Sequence, residues 1–146
     1  TGVVYNHFNP IYYSEFLGNK DMDKKIIVVL LENDGFLVKD TEKNLFITWL
    51  NDIYSKSAEI ADKRWRDYSY WSTYTKEQMT SAIVLIKKLC TDFSIPMTSI
   101  GHNTKIDNVG TYEGVMYRSN IDKVYTDLSP SWDFENFKNK IEEKIN

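Results

Sequence analysis

Two histidines, His7 and His102, and a single cysteine, Cys90, limit the chemistry open to this chain. There is no HExxH pattern, CxxC pair, phosphate-binding glycine loop or GxSxG elbow. No pair of the 21 acids stands out by position as a glycosidase dyad. His102 has the most suggestive setting. It follows an apolar stretch and Gly101, at the kind of strand end where open α/β sheets place ligands. Asp127 comes after a long intervening segment, just before Leu128-Ser129-Pro130. A histidine and a carboxylate brought together from two chain ends suit Zn²⁺, and a loop histidine with a helix-capping aspartate is the plainer reading. His7 reads as a surface histidine and Cys90 as a small buried hydrophobe.

These residues need elements to hold them. Residues 1–5 read as a short strand in which Gly2 can take positive φ, followed by a break at Asn9-Pro10 and an irregular aromatic loop over 12–18. The run 26–31, Ile-Ile-Val-Val-Leu-Leu, fits a central strand buried on both faces, with Phe36-Leu37-Val38 continuing beyond a turn. In residues 45–72, Phe46, Trp49, Leu50 and Ile53 fall at helical spacing. Lys63-Arg64-Trp65-Arg66 forms a basic and aromatic patch that suits either a phosphate or a solvated face with its tryptophan turned inward.

The clearest helix starts at Thr75, with Gln78 completing a capping box and Glu77 in the first turn. Met79, Ile83, Ile86, Leu89, Cys90 and Phe93 form its apolar face, and Pro96 ends it. Residues 97–100 read as a strand and 103–124 as a long loop. A last helix after Pro130 turns Phe134, Phe137 and Ile141 inward and carries Lys138, Lys140 and Lys144 near its end.

Composition sets the class. The 146 residues are 42% apolar and 14% aromatic, enough for one domain over 1–146 with a core. Eighteen basic residues against 21 acidic ones give −3, which argues against a nucleic-acid binder held by net charge. No apolar run approaches bilayer-spanning length, so no membrane role is expected. The expectation is α/β, with a mixed central β-sheet flanked by helices.

The string Thr126-Asp127-Leu128-Ser129-Pro130-Ser131-Trp132-Asp133-Phe134 resembles the "TDPGPxFDW" signature of the zinc-dependent type 2 N-acetylmuramoyl-L-alanine amidases. That family shares its fold with the peptidoglycan recognition proteins. Ile100-Gly101-His102 resembles its "VGH", residues 75–96 its "YTxEQ…L…LC…YxIP" helix, 26–33 its "SIGIELEN" strand, and 2–5 its "DGxIY". The resemblance runs through nearly the whole chain in the family's order. It implies His102 and Asp127 as zinc ligands and water-driven cleavage of the muramoyl–L-alanine amide bond. Trp65, Trp71, Tyr112 and Tyr117 are the implied aromatic groove for a muropeptide of peptidoglycan. The implied setting is extracellular, at the cell wall or on a virion.

Three departures shape the expectation. The family's first strand, with its first zinc histidine, has no counterpart here, so an upstream segment or a partner chain is expected to complete the sheet. Leu30 stands where the catalytic glutamate aligns, with Glu32 keeping the second acid. Tyr125 replaces the oxyanion-stabilising lysine, and its hydroxyl is the candidate donor. A non-catalytic module that binds peptidoglycan, or serves as a structural part of a larger assembly, is the alternative to the hydrolase.

Overall fold

The computed structural model describes residues 1–56 and 58–143; Lys144 lies outside them. Four strands form one sheet: β1 (Phe36–Asp40), β2 (Leu45–Thr48), β3 (Ile60–Trp65) and β4 (Tyr68–Ser72). Their order is β2-β1-β4-β3, and all neighbours run antiparallel. The sheet is thus built from two local hairpins joined at β1 and β4. In the first turn the Asp40 carboxylate accepts the N–H groups of Glu42 and Lys43, both at 3.0 Å, and Asn44 takes φ 51°. The second turn is tighter, because Trp65 pairs with Tyr68, and Arg66 takes φ 54° in the left-handed region.

Aromatic side chains bind the sheet together. Phe36 stacks on Tyr68 with centroids 3.8 Å apart, Phe46 meets Tyr70 edge-on at 5.0 Å, and Trp65 tilts against Trp71 at 5.5 Å. Trp71 is fully enclosed, and its indole N–H donates to the Lys63 carbonyl at 2.8 Å.

The architecture is α and β as expected, but the sheet is antiparallel rather than mixed. Residues 26–31 are not one of its strands. They follow a four-residue helix, α1 (Lys20–Asp23), and pair with no strand among the described residues. Five of the six are half-buried, and Leu30 is 75% exposed. The helical spacing of Phe46, Trp49, Leu50 and Ile53 also misleads: Phe46 lies in β2, and Asn51 turns the chain at φ 67°. Residues 1–5 form no strand. Gly2 matters for close approach instead, since a Cβ there would lie 2.6 Å from Ser81 Oγ and 2.7 Å from the Glu77 carbonyl oxygen.

Helix α2 (Lys76–Asp92) starts as its sequence demands. The Gln78 N–H donates to Thr75 Oγ1 at 3.1 Å, and the Thr75 N–H returns a bond to Gln78 Oε1 at 2.9 Å. Ala82 and Cys90 are buried, and Met79, Ile83 and Ile86 lie against the core formed with Trp132, Phe137 and Ile141. The last two belong to α4 (Phe134–Glu142), capped by Asp133 accepting from the Asn136 N–H at 3.1 Å. Residues 97–100 reduce to one parallel bridge between Ser99 and Val115. The segment expected as a long loop contains a 3₁₀ turn (Val109–Thr111) and a short helix, α3 (Arg118–Ile121).

A cleft of about 690 Å³ opens between residues 26–31, α2, and the segments around Val115 and Leu128. Among the described residues no helix is long and apolar enough to cross a membrane.

Candidate functional site

His102 sits on the loop leaving the Ser99 bridge, with its ring stacked on Phe134 at 4.0 Å and tilted against Trp65 at 4.7 Å. The next residue, Asn103, takes φ 63° and accepts the indole N–H of Trp65. That bond fixes the turn beside the imidazole. Burial pushes the His102 pKa down to about 4, and the nearby charges of Arg66 and Lys63 add to the effect. The ring is therefore neutral at pH 7. Its Nε2 is buried and has no hydrogen-bond partner among the described residues.

Arg66 acts electrostatically on His102 and is acted on in turn by Asp127. Its guanidinium lies 4.3 Å over the Trp65 ring, and its Nη2 donates to the Ser119 carbonyl at 3.3 Å. Burial lowers its pKa, while Asp122 and Asp127 act in the opposite sense. Asp127 is more than half exposed and meets Arg118 Nη1 at 3.5 Å, and its carbonyl accepts the Ser119 N–H at 3.0 Å. Among the described residues no hydrogen bond or ion pair joins His102 to Asp127.

One buried asparagine joins the two segments. Asn120 is wholly enclosed; its Nδ2 donates to the carbonyls of Gly101 at 3.1 Å and Thr104 at 2.8 Å, and its Oδ1 accepts the Tyr117 N–H at 2.8 Å. The loop that carries His102 is therefore tied to the helix that carries Arg118 and Ser119. Lys63 adds a further tie from the sheet, donating to the Pro130 carbonyl at 3.0 Å.

The four aromatic candidates do not share one open groove: Tyr112 and Tyr117 line the cleft, and Trp65 and Trp71 do not. Trp65, Trp71 and Tyr117 are buried, and Tyr117 shares a 3.0 Å hydrogen bond with Ser99 Oγ. Trp65 and Trp71 are packing residues whose rings meet neighbours within the fold, whereas Tyr117, though buried, contributes to the wall of the cleft of about 690 Å³. Tyr112 is half-buried, and its hydroxyl donates to the Val115 carbonyl at 3.4 Å. Tyr125 is half-buried beneath Arg118, whose guanidinium carbon lies 3.9 Å from its ring centre. His7 is exposed.

Zinc fits these residues only in part. A neutral imidazole with an unmet, buried Nε2 has the character of a metal ligand, and Asp127 offers a carboxylate. Among the described residues, however, no three His, Cys, Asp or Glu side chains are grouped to hold a metal ion. The positive neighbours Arg66 and Lys63 also oppose a cation beside His102. These residues do not complete a zinc site by themselves.

Arg66, Arg118 and Asn120 are the site residues that sequence reading missed. Arg66 lay inside the basic patch read as a solvated face or phosphate holder. Nothing local marks the other two. Comparison of the chain with protein families, curated proteins and solved structures finds no match in any of the three.

Proposed function

We propose that this chain is a peptidoglycan hydrolase of the zinc-dependent N-acetylmuramoyl-L-alanine amidase kind, acting outside the cell at the cell wall or on a virion. The observation that carries the reading is the buried Nε2 of the neutral His102, which has no hydrogen-bond partner among the described residues. The likeness of residues 100–102 and 126–134 to the family's ligand motifs supports it. In this reading His102 and Asp127 are two zinc ligands, and Tyr125 donates to the developing oxyanion. On the same reading a further ligand comes from a partner segment seated at the open cleft beside residues 26–31.

The test is release of L-alanine-terminated peptides from purified peptidoglycan, together with metal analysis. Zinc-dependent release that His102→Ala and Asp127→Ala each abolish is the expected result. Zinc that binds equally well to His102→Ala would overturn the assignment.

A second reading, a non-catalytic module that holds peptidoglycan or serves a larger assembly, has its own observation. Leu30, aligned with the family's catalytic glutamate, is an exposed apolar side chain and can neither take nor give a proton. Peptidoglycan retained without peptide release would favour it.

A further inference from the structure

We propose that Arg66, Arg118 and Ser119 form a binding site for a peptide carboxylate. Three polar groups at this point are buried and without partners among the described residues: Arg66 Nη1, Arg118 Nε and Ser119 Oγ. The Ser119 side chain is almost wholly enclosed, at 6% exposure. Native interiors rarely leave such groups unmet, and three in one place is a concentration. Each can donate, so together they call for an acceptor.

Chain geometry brings them to one locus. Arg118 and Ser119 are consecutive in α3, and Arg66 reaches across from the β3–β4 turn to the Ser119 carbonyl at 3.3 Å. Both guanidiniums lie over aromatic rings, Arg66 on Trp65 at 4.3 Å and Arg118 on Tyr125 at 3.9 Å and Phe16 at 4.8 Å. Stacking occupies the guanidinium faces, Arg66 Nη2 and Arg118 Nη1 are engaged by the Ser119 carbonyl and Asp127, and one further N–H group on each is left unmet among the described residues. The two oxygens of a single carboxylate can accept one charge-assisted bond from each arginine.

The charges select among anions. Arg66 and Arg118 bring two positive charges against the two negative ones of Asp122 and Asp127, so a singly charged acceptor is favoured over a phosphate dianion. The existing Arg118–Asp127 contact is long, at 3.5 Å, and solvent-exposed on the aspartate side, so it leaves the guanidinium able to take a second acceptor. The site needs no metal and stands whether or not the chain is a hydrolase.

The experiment is a titration of the full 146-residue chain in the presence of a chelator, followed by NMR of the arginine Nε–H groups. The probes are N-acetylalanine, its primary amide and inorganic phosphate. N-acetylalanine should bind and shift the Arg66 and Arg118 signals, with its amide about tenfold weaker or worse, as expected for loss of a charge-assisted pair. Arg66→Gln and Arg118→Gln should each weaken the acid by about tenfold, and Arg64→Gln, on the exposed edge of β3, should leave it unchanged. Arg118→Lys keeps the charge without the fork and should also weaken it, which covers the case in which a glutamine variant fails to fold. Equal binding of acid and amide, tighter binding of phosphate, or full affinity in Arg118→Lys would each overturn the proposal.

Discussion

Two stretches of this molecule, one of mixed composition and rich in aromatic rings and one wholly aliphatic, have opposite fates. Between residues 36 and 72, four strands pair along their lengths, and ring contacts between Phe36, Tyr68, Trp65 and Trp71 close the sheet. Residues 26–31, the most apolar run in the sequence, lie outside the strands with no backbone hydrogen bond among the described residues, and they flank a cleft of about 690 Å³. Protein interiors are ordinarily close-packed, so the contrast is large. Apolarity brings a segment toward the core. A partner with the right edge decides whether it becomes part of it. The hairpins carry that partner a few residues away, whereas residues 26–31 must find theirs at a distance.

The strongest way to break this comparison is at Trp71. Trp71→Ala removes a wholly enclosed ring from the paired half and should cost about 3 to 5 kcal/mol in urea unfolding. A loss below about 1 kcal/mol would mean that the sheet does not depend on its aromatic contacts.

His102 gives the next largest effect, and its direction follows from linkage. The unfolded imidazole takes up its proton near pH 6.5, the folded one only near 4. Between those values the unfolded state binds more protons, so stability falls as pH drops from 6.5 to 4. With solvent screening of a half-buried ring allowed for, the loss is about 2 kcal/mol. Denaturant melts across that window should show it, and His102→Gln should remove most of the slope. An unchanged slope in the variant would place the titrating group elsewhere.

Ile86 sharpens the comparison from the other side. It belongs to the core-facing stripe of α2 but lines the open cleft, so truncation removes fewer contacts than in a filled interior. Ile86→Ala should cost about 1 to 2 kcal/mol, below the usual range for a large-to-small core change. A cost of about 4 kcal/mol would show that the cleft is closed in solution.

Helix α2 was legible because its signals are local: Thr75 and Gln78 close the box within one turn, and the stripe repeats at helical spacing. The last helix was legible for the same reason, with Phe137 and Ile141 buried as the spacing requires. The hairpins were hidden because Phe46, Trp49, Leu50 and Ile53 imitate a helix, and only the left-handed Asn44 and Asn51 reveal turns. At the candidate site His102 and Asp127 could be picked out by their neighbours in sequence. Arg66 and Ser119 meet across 53 positions, and Asn120 works through carbonyls that any residue carries. Aromatic residues posed another difficulty. Composition does not say whether Trp71 faces a ligand or the core, because both surroundings favour the same ring.

The Trp65–Trp71 contact also has an optical consequence. Two indoles 5.5 Å apart and inclined at 51° have coupled electronic transitions, which give a paired signal in far-ultraviolet circular dichroism. The two rings come from strands of a single hairpin, so that signal belongs to the sheet, whereas the helical bands report chiefly on α2 and α4. Heating followed at both wavelengths separates the loosening of the cleft-lining helix from the melting of the hairpin, without a label or a substitution.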